Sequence, residues 1–266
     1  MKTTAGAGTI RTGSSGHIGF TLWDWLALGW FVGAWIAYSL VIETTGKGRH
    51  GLNALMNQYR DAWMERLLSR EVRIVDSQVT AALQNGTAFF ASTSLIAVGG
   101  ALSLLRSTDQ VLDVLSKLPL AVGQSSELWE LKMIGLTIIF VYAFFKFAWS
   151  YRLYNYFAIM VGAAPPPETK NTAAAQAFAH RAAHLCADAG RHFNRGQRAF
   201  FFALGYLGWL IGPLLLVLTT TSIVVVLWRR QFSSESRKAF AVNAIDKTDL
   251  DETPAGKPKP SPSRRR

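Results

Sequence analysis

The sequence predicts an all-α, polytopic membrane protein in which four transmembrane helices are joined by two amphipathic connecting helices. Half of the 266 residues are apolar and only 17% are charged. The apolar residues are concentrated in four stretches, each long enough to cross a hydrocarbon layer of about 30 Å. No segment between these stretches is long enough to build a separate globular core. These observations exclude an ordinary soluble enzyme.

The first predicted span covers residues 22–42, and Asp24, near its start, is its only charged side chain. Gly29 and Gly33 are four residues apart, so they lie on one face of the helix. Small residues on one face let a second helix approach closely in lipid, where packing replaces the hydrophobic effect as the driving force. We therefore expect the glycine pair to form a packing seam.

The second predicted span, residues 86–105, has no charged side chain. It contains three consecutive hydroxyl residues, Ser92, Thr93 and Ser94. Hydroxyl groups in a membrane helix can donate to carbonyls of their own helix or bond to a neighbouring helix. The same residues could also line a polar path, and the sequence leaves both interpretations open.

The third predicted span, residues 129–151, carries Lys132 near its start and Lys146 near its end, and Arg152 and Asn155 follow it. A lysine at the bilayer centre costs about 3 kcal/mol on insertion scales, whereas a lysine near a helix end can extend to the headgroups. Lys146 is therefore either a structural anchor or a functional charge. The neighbouring Arg152 favours the anchor.

The fourth predicted span, residues 199–228, has 30 residues without one charged side chain. At about 1.5 Å per residue such a helix is about 45 Å long, which exceeds the hydrocarbon thickness. It must therefore tilt, kink or emerge from the bilayer. Gly208, Gly212 and Pro213 predict a kink, because proline lacks an amide donor and clashes with the preceding turn.

Two of the connections are expected to be amphipathic helices. Apolar residues recur at helical spacing within residues 43–85, and a second apolar stripe lies within residues 162–198. The first of these helices would lie on the membrane or on a partner helix. Residues 1–21 lack apolar periodicity and residues 233–266 are rich in Ser, Pro and charge, so both are expected to be disordered. The membrane domain would then cover residues 22–232.

Basic residues predict which ends of the spans face the cytoplasm. Residues 43–85 and 152–198 carry six Lys and Arg each, whereas the N-terminal arm and residues 106–128 carry two each. The positive-inside rule therefore favours a cytoplasmic location for the two larger segments in a bacterial inner membrane. The basic tail after Trp228 argues against this orientation, because four spans place both termini on the same side.

The net charge of +11 does not indicate a nucleic-acid partner. Most of the basic residues lie in the tail or flank the apolar stretches, where cations meet lipid headgroups. No RNA-binding motif or zinc-finger spacing accompanies them. The partner that the charge distribution indicates is the lipid bilayer.

His180, His184, Asp188 and His192 follow one another at intervals of four residues, so neighbouring pairs lie on one side of a helix. Imidazole and carboxylate groups bind zinc and related ions, which makes His180, His184 and Asp188 a candidate metal site. Steps of four residues drift by about 40° each, however, so the first and last histidines are about 120° apart. Three histidines on the polar side of an amphipathic helix are the simpler interpretation, and no cofactor is predicted. The single cysteine, Cys186, excludes an intramolecular disulfide.

An aspartate in a membrane span is expected to have a partner of opposite charge. Spans one and three run parallel, so Asp24 at the start of one lies level with Lys132 at the start of the other. Lys146 is the alternative partner. The polar residues that we expect within or beside the membrane are Asp24, Ser92, Thr93, Ser94, Lys132, Lys146, Arg152 and Asn155.

Four runs of residues carry a likeness to a known family. They are Arg60–Met64, Ile74–Gln78, Phe89–Ser94 and Phe144–Tyr156. These runs resemble the domain-of-unknown-function family 599, which comprises predicted four-span membrane proteins of bacteria and plants. The resemblance extends from about Trp23 to Phe232 and implies a membrane protein, but it brings no activity, substrate or catalytic residue.

Three classes of function are compatible with these patterns. The first is a non-enzymatic scaffold or accessory subunit, forming a homo-oligomer or binding another membrane protein, because packing seams and amphipathic helices are plentiful and catalytic groups are not. The second is a transporter of a small solute or ion, in which the polar membrane residues would line one aqueous path. The third is a metal-dependent membrane enzyme that uses His180, His184 and Asp188.

Overall fold

The computed structural model describes residues 20–44, 52–116 and 125–232. Within these ranges the chain forms eight α-helices and one short 3-10 helix (Pro167–Thr169), and it has no β-strand. The helices are α1 (Leu22–Thr44), α2 (Leu52–Leu67), α3 (Ile74–Arg106), α4 (Thr108–Ser116), α5 (Ser126–Gly162), α6 (Ala173–Tyr206), α7 (Gly208–Ile211) and α8 (Pro213–Phe232). The predicted all-α class is confirmed.

Four of these helices, α1, α3, α5 and α8, are long and apolar enough to cross a membrane. The predicted integral membrane protein with four such helices is therefore confirmed, and α2 and α6 are the main helices that connect them. The basic tail, residues 233–266, lies outside the described residues, as does the N-terminal arm up to residue 19.

Two of the long helices begin where the sequence supplies a capping side chain. The Ser125 hydroxyl accepts a hydrogen bond from the Leu128 amide (3.3 Å) at the start of α5. The Thr172 hydroxyl accepts one from the Ala175 amide (3.2 Å) at the start of α6. Such caps satisfy amide groups that have no partner inside the helix. The proline run at residues 165–167 keeps α5 and α6 from joining into one helix.

Helices α3 and α5 run antiparallel and extend together beyond the bilayer. Phe90 stacks on Phe147 with ring centroids 5.4 Å apart, and farther along the pair the Gln84 amide donates to the Asn155 side-chain oxygen (2.6 Å). At about 1.5 Å per residue, α3 is about 50 Å long and α5 about 55 Å long, against roughly 30 Å of hydrocarbon. We infer that the surplus length lies at the end that holds Gln84, because polar side chains such as Gln84 and Asn155 are costly inside hydrocarbon.

Helix α1 packs antiparallel to the last part of α6. Near the end of α1, the Glu43 carboxylate accepts hydrogen bonds from the Arg195 guanidinium (2.7 and 3.0 Å). Near its start, the Asp24 carboxylate accepts one from the Trp209 indole (2.9 Å), just past α6. Aromatic rings of the two helices pack together between these ends. Glu43 and Asp24 are about 28 Å apart along α1, and the facing stretch from Arg195 to Trp209 covers about 21 Å of that length.

The chain reverses direction between α7 and α8. The Thr219 hydroxyl of α8 donates to the Gly205 carbonyl of α6 (2.6 Å), so α8 returns along α6. At Gly208 a Cβ atom would lie 2.8 Å from the Leu215 carbonyl oxygen, and only glycine permits that approach. Pro213 cannot continue the preceding helix because it lacks an amide donor. The stretch predicted as a fourth span, residues 199–228, is therefore a hairpin of two helical arms, where the sequence predicted one kinked helix.

Five helical segments, which we call passes, lie side by side in the described part of the chain, and four of them belong to the helices that are long and apolar enough to cross a membrane. They are α1, the second half of α3, the first half of α5, the end of α6 together with α7, and α8. The fourth pass includes residues 199–211, which contain no charged side chain but are too few to be recognised as a span by length. An odd number of passes places the end of α8 at the level of the end of α1, where Tyr38 and Leu227 line one cavity. If all five passes cross the bilayer, Arg229 and Arg230 lie on the same side as α2, which agrees with the positive-inside rule.

The parts of α3, α5 and α6 at the Gln84 end pack with α2 into one body. We infer that this body lies outside the bilayer, because α3 and α5 are longer than the hydrocarbon layer, and we call it the extramembrane body. Its core contains Met64, Leu67, Phe157, Ala182 and Cys186, each no more than 1% exposed. The first amphipathic helix was predicted to lie either on the membrane or on a partner helix. Helix α2 lies on a partner helix, because its apolar face is buried against α6.

We expect Asn171 and Arg229 to be accessible from one side of the membrane and Asp109 from the other, because the hairpin returns α8 to the side of α2. All three residues are exposed. Single cysteines at these positions, in a Cys186→Ser background, would be labelled with a membrane-impermeant maleimide added from each side. Labelling of position 229 together with position 109 would instead indicate four passes.

Candidate functional site

The first polar cluster lies at the end of the membrane passes where α1 begins. Asp24 is 4% exposed and accepts hydrogen bonds from the Trp209 indole (2.9 Å), the Thr21 hydroxyl (2.7 Å) and the Thr21 amide (3.2 Å). A buried carboxylate of this kind persists only when donors replace the water that it has lost. The oxygens of the aspartate are therefore satisfied by fixed donors.

Lys132 of α5 reaches the same tryptophan from the opposite direction. It is 1% exposed, its Nζ donates to the Trp209 carbonyl oxygen (2.8 Å), and it lies 5.3 Å from the centre of the indole ring. In a continuous helix that carbonyl would accept from the amide four residues later, which is Pro213 and has no N–H. The lysine thus satisfies a carbonyl that the proline leaves free. We call Asp24, Lys132 and Trp209 the tryptophan bridge.

The hydroxyl cluster of α3 is used within its own helix. The Thr93 hydroxyl donates to the Phe89 carbonyl (2.8 Å), and the fully buried Ser94 donates to the Phe90 carbonyl (2.8 Å). Ser92 is exposed on the outer face of the helix. Of the two interpretations left open by the sequence, Thr93 and Ser94 therefore follow the one in which the hydroxyl donates to a carbonyl of its own helix.

The remaining polar candidates of α5 lie at separate places along the helix. Lys146 Nζ lies 5.1 Å from the centre of the Tyr142 ring. Arg152 donates to the Tyr156 hydroxyl (2.8 Å), while Asn155 bonds to α3 as described above. The structure thus places Asp24 and Lys132 on the same tryptophan and keeps the other polar candidates apart from them, and direct pairing of the two charges stays a prediction.

The glycine pair of α1 does not pack against another described helix. A Cβ atom added at Gly29 or Gly33 would meet no atom within 4 Å among the described residues. The expected packing seam therefore faces outward.

The histidine series on α6 does not assemble a metal-binding group. The rings of His180 and His184 are 4.4 Å apart, but Asp188 forms an ion pair with Arg191. No group of three His, Cys, Asp or Glu residues that could hold a metal occurs in the described ranges. His192 faces α5, where burial and the nearby positive charge of Lys146 lower the pKa of its imidazole.

A second buried carboxylate ties the extramembrane body together. Asp76 is fully buried, and it accepts from the Trp63 indole (2.6 Å) and pairs with Arg70. The neighbouring Arg73 donates to two carbonyl groups just after α5 (2.8 and 2.6 Å). These contacts fix the turn between α2 and α3 against the end of α5. Sequence reasoning missed this junction, because charges in a polar connection look solvated until their partners are known.

A polar pocket lies at the level of Glu43, where α1, α2, α6 and α8 meet. It consists of two adjoining cavities of about 320 and 270 Å³. We call it the arginine pocket, because its walls contain Arg60, Arg191, Arg195, Arg198 and Arg230. Three of these follow one another on one face of α6, a spacing that was visible in the sequence. The other two are brought there only by the fold.

Positive charge in the arginine pocket exceeds the negative charge available to it. Glu43 is the one carboxylate in its described walls, and it accepts from both Arg195 and Arg198. Arg60 and Arg230 form no ion pair with a described carboxylate, and Arg60 donates to the Asn57 side-chain oxygen (2.6 Å). A Cβ atom at Gly190 would lie 2.8 Å from the Arg60 guanidinium, so the glycine allows Arg60 to lie across α6.

The other polar groups in the described walls of the arginine pocket are the Tyr38 hydroxyl and five side-chain amides, which belong to Asn53, Asn57, Asn194, Gln197 and Gln231. The Nε2 of Gln231 is buried without an acceptor among the described residues. A site rich in guanidinium and amide donors, whose one carboxylate is already paired with two arginines, is suited to bind an anion.

Removing one charge of the tryptophan bridge should be costly, because the other is left buried and uncompensated. We expect Lys132→Met and Asp24→Asn each to lower the free energy of unfolding by about 3–5 kcal/mol, the range for a broken buried pair. The double variant should lose clearly less than the sum of the two. Unfolding in a mild detergent would measure this cycle, and additive losses would show that the two residues are not coupled.

Cys186 should be unreactive in the folded protein. It is fully buried, and burial raises the pKa of its thiol to about 11, so almost no thiolate is present at pH 7. Maleimide should therefore label it only after denaturation, as measured by the mass of the intact protein. Equal labelling before and after denaturation would show that the core around α2 opens readily.

Comparison with known proteins places the chain in one family. A family model described as "Protein of unknown function, DUF599" matches residues 26–236. No curated protein and no solved structure matches the chain. The matched residues include nearly all of the membrane passes and the whole extramembrane body. The chain therefore belongs to the DUF599 family.

Proposed function

We propose that this protein is a non-enzymatic scaffold or accessory subunit of a bacterial inner membrane, which binds a partner protein through its extramembrane body. The observation that carries the proposal is an exposed apolar patch on that body. The patch consists of Val72, Ile74, Val75 and Val79 at the start of α3 and Ile159 of α5.

The members of the apolar patch are strongly exposed. Val72 is 68% exposed, Val75 64% and Ile159 67%. The pairing of Gln84 with Asn155 and of Arg73 with the carbonyls after α5 sets the alignment of the two helices. That alignment places Ile159 at the height of the first turns of α3. Large exposed apolar areas on such a surface are typical of protein interaction sites.

The height of the apolar patch argues against lipid as its cover. Phe90 of α3 lies at the level where α1 ends. It packs on Phe147, which lies against Gly196 of α6. The adjacent Arg195 binds Glu43 at the end of α1. Val79 and Val75 precede Phe90 by 11 and 15 residues, or about 16 and 22 Å along the helix. The hydrogen-bonded amides of α3 and α5 lie between the patch and that level. A protein surface is therefore the occupant that we propose.

The uses of the polar membrane residues support a scaffold over a transporter. A transport path requires polar side chains that face one water-filled passage. Here Thr93 and Ser94 bond to their own helix, and Asp24 and Lys132 bind Trp209. None of these residues lines the arginine pocket.

The proposal predicts a partner at the apolar patch in the cell. A photo-crosslinking amino acid at position 75 should yield one discrete protein adduct, and Ile159→Glu should reduce that adduct several-fold. The same crosslinker at Phe89, which is 65% exposed at membrane level, serves as the lipid-facing control. Co-expression of two differently tagged copies would show whether the adduct is a second copy of this chain.

Two results would contradict the proposal. One is a lipid adduct at position 75 like that at position 89. The other is a protein adduct that Ile159→Glu leaves unchanged while the variant keeps the unfolding temperature of the unmodified protein.

A further inference from the structure

We propose that the arginine pocket binds a phosphate group, carried either by an anionic phospholipid headgroup or by a soluble phosphate ester. This inference is independent of the apolar patch, which lies on the extramembrane body. It rests on the charge, the hydrogen-bond donors and the height of the pocket.

The charge of the arginine pocket requires an anion. Five guanidinium groups face one carboxylate, and Glu43 is already shared by Arg195 and Arg198. Positive charges gathered in a cleft raise the local concentration of anions, and the effect is larger where the walls have a low dielectric constant. Asp188, the partner of Arg191, lies outside the described walls. An anion near Arg60 in the first cavity or near Arg230 in the second would supply negative charge that the described walls lack.

The donors of the arginine pocket favour phosphate over a simple carboxylate. Guanidinium groups present paired N–H donors that match the spacing of phosphate oxygens, and several of them can share one phosphate. Amide donors from α2, α6 and α8 add to them, and the buried Nε2 of Gln231 has no acceptor in the described part of the chain. A group with three or four oxygens would satisfy more of these donors than a carboxylate with two.

The arginine pocket lies at the level where lipid phosphates are found. It is built from the last residues of α1 and α8, two helices that each span about one hydrocarbon thickness. Its second cavity also has apolar walls, which include Tyr38, Leu52 and Leu227. This arrangement suits a lipid whose phosphate enters the pocket from the side, and it also admits a small phosphate ester from the water.

The test compares two phosphate sources on the full chain in a neutral detergent. The unfolding temperature is measured in mixed micelles with phosphatidylglycerol or with zwitterionic phosphatidylcholine, and separately with glycerol 3-phosphate. A bound ligand raises the unfolding temperature because it binds only the folded state. We expect phosphatidylglycerol or glycerol 3-phosphate to raise it, and added salt to reduce the rise.

Adjacent residues of α8 supply a matched pair of variants. Both arginines are exposed, but Arg230 lines the pocket and Arg229 lies outside its described walls. Arg230→Gln should weaken phosphate binding about tenfold, the effect of losing one charge-assisted hydrogen bond. Arg229→Gln, which removes the same charge, should bind as the unmodified protein does. Gln197→Glu adds a carboxylate of similar shape to the pocket and should also weaken binding, so it decides the question if Arg230→Gln fails to fold.

Each outcome has a definite meaning. A rise with phosphatidylglycerol alone that Arg230→Gln or Gln197→Glu removes identifies a lipid site. The same pattern with glycerol 3-phosphate identifies a site for a soluble phosphate ester. Absence of a rise with both ligands, or an equal rise in the pocket variants and in Arg229→Gln, would overturn the proposal.

Discussion

Charged side chains cannot remain unpaired in a region from which water is excluded, and this constraint organises the membrane part of the protein. Asp24 and Lys132 come from different helices, and both are almost fully buried. Trp209 satisfies both, the aspartate through its indole N–H and the lysine through its carbonyl. That carbonyl is available because Pro213 follows at the position that would otherwise bond to it. The proline that ends one helix therefore also creates the acceptor that ties three segments together.

The opposite end of the same passes is fixed by a second set of charges. Glu43 at the end of α1 holds Arg195 and Arg198 of α6, and aromatic rings fill the space between the two ends. With both ends fixed, α1 and α6 cannot slide relative to each other. The same arrangement gathers more arginines than one glutamate can neutralise. The surplus positive charge of the arginine pocket is thus a consequence of how the passes are joined.

The sequence predicted the helices well and their connection less well. Hydropathy located four apolar stretches, and chain order placed Asp24 level with Lys132. The sequence did not reveal the hairpin in residues 199–228, because the hydropathy of an apolar segment is the same whether the chain continues or turns back. The glycines and proline indicated a break but not its angle, which depends on contacts such as that of Gly208 with α8. The arginine pocket was equally hidden, since Arg60 and Arg230 are 170 residues apart.

The sequence by itself determined the class of the protein, because the length and the apolar content of the helices leave the bilayer as their only suitable solvent. It also determined where several helices begin and end, since caps and prolines act through neighbouring residues. The tertiary structure decided which charges meet, how many times the chain traverses one thickness and which apolar residues stay exposed. These properties depend on contacts between residues far apart in the chain, and local sequence patterns do not predict such contacts.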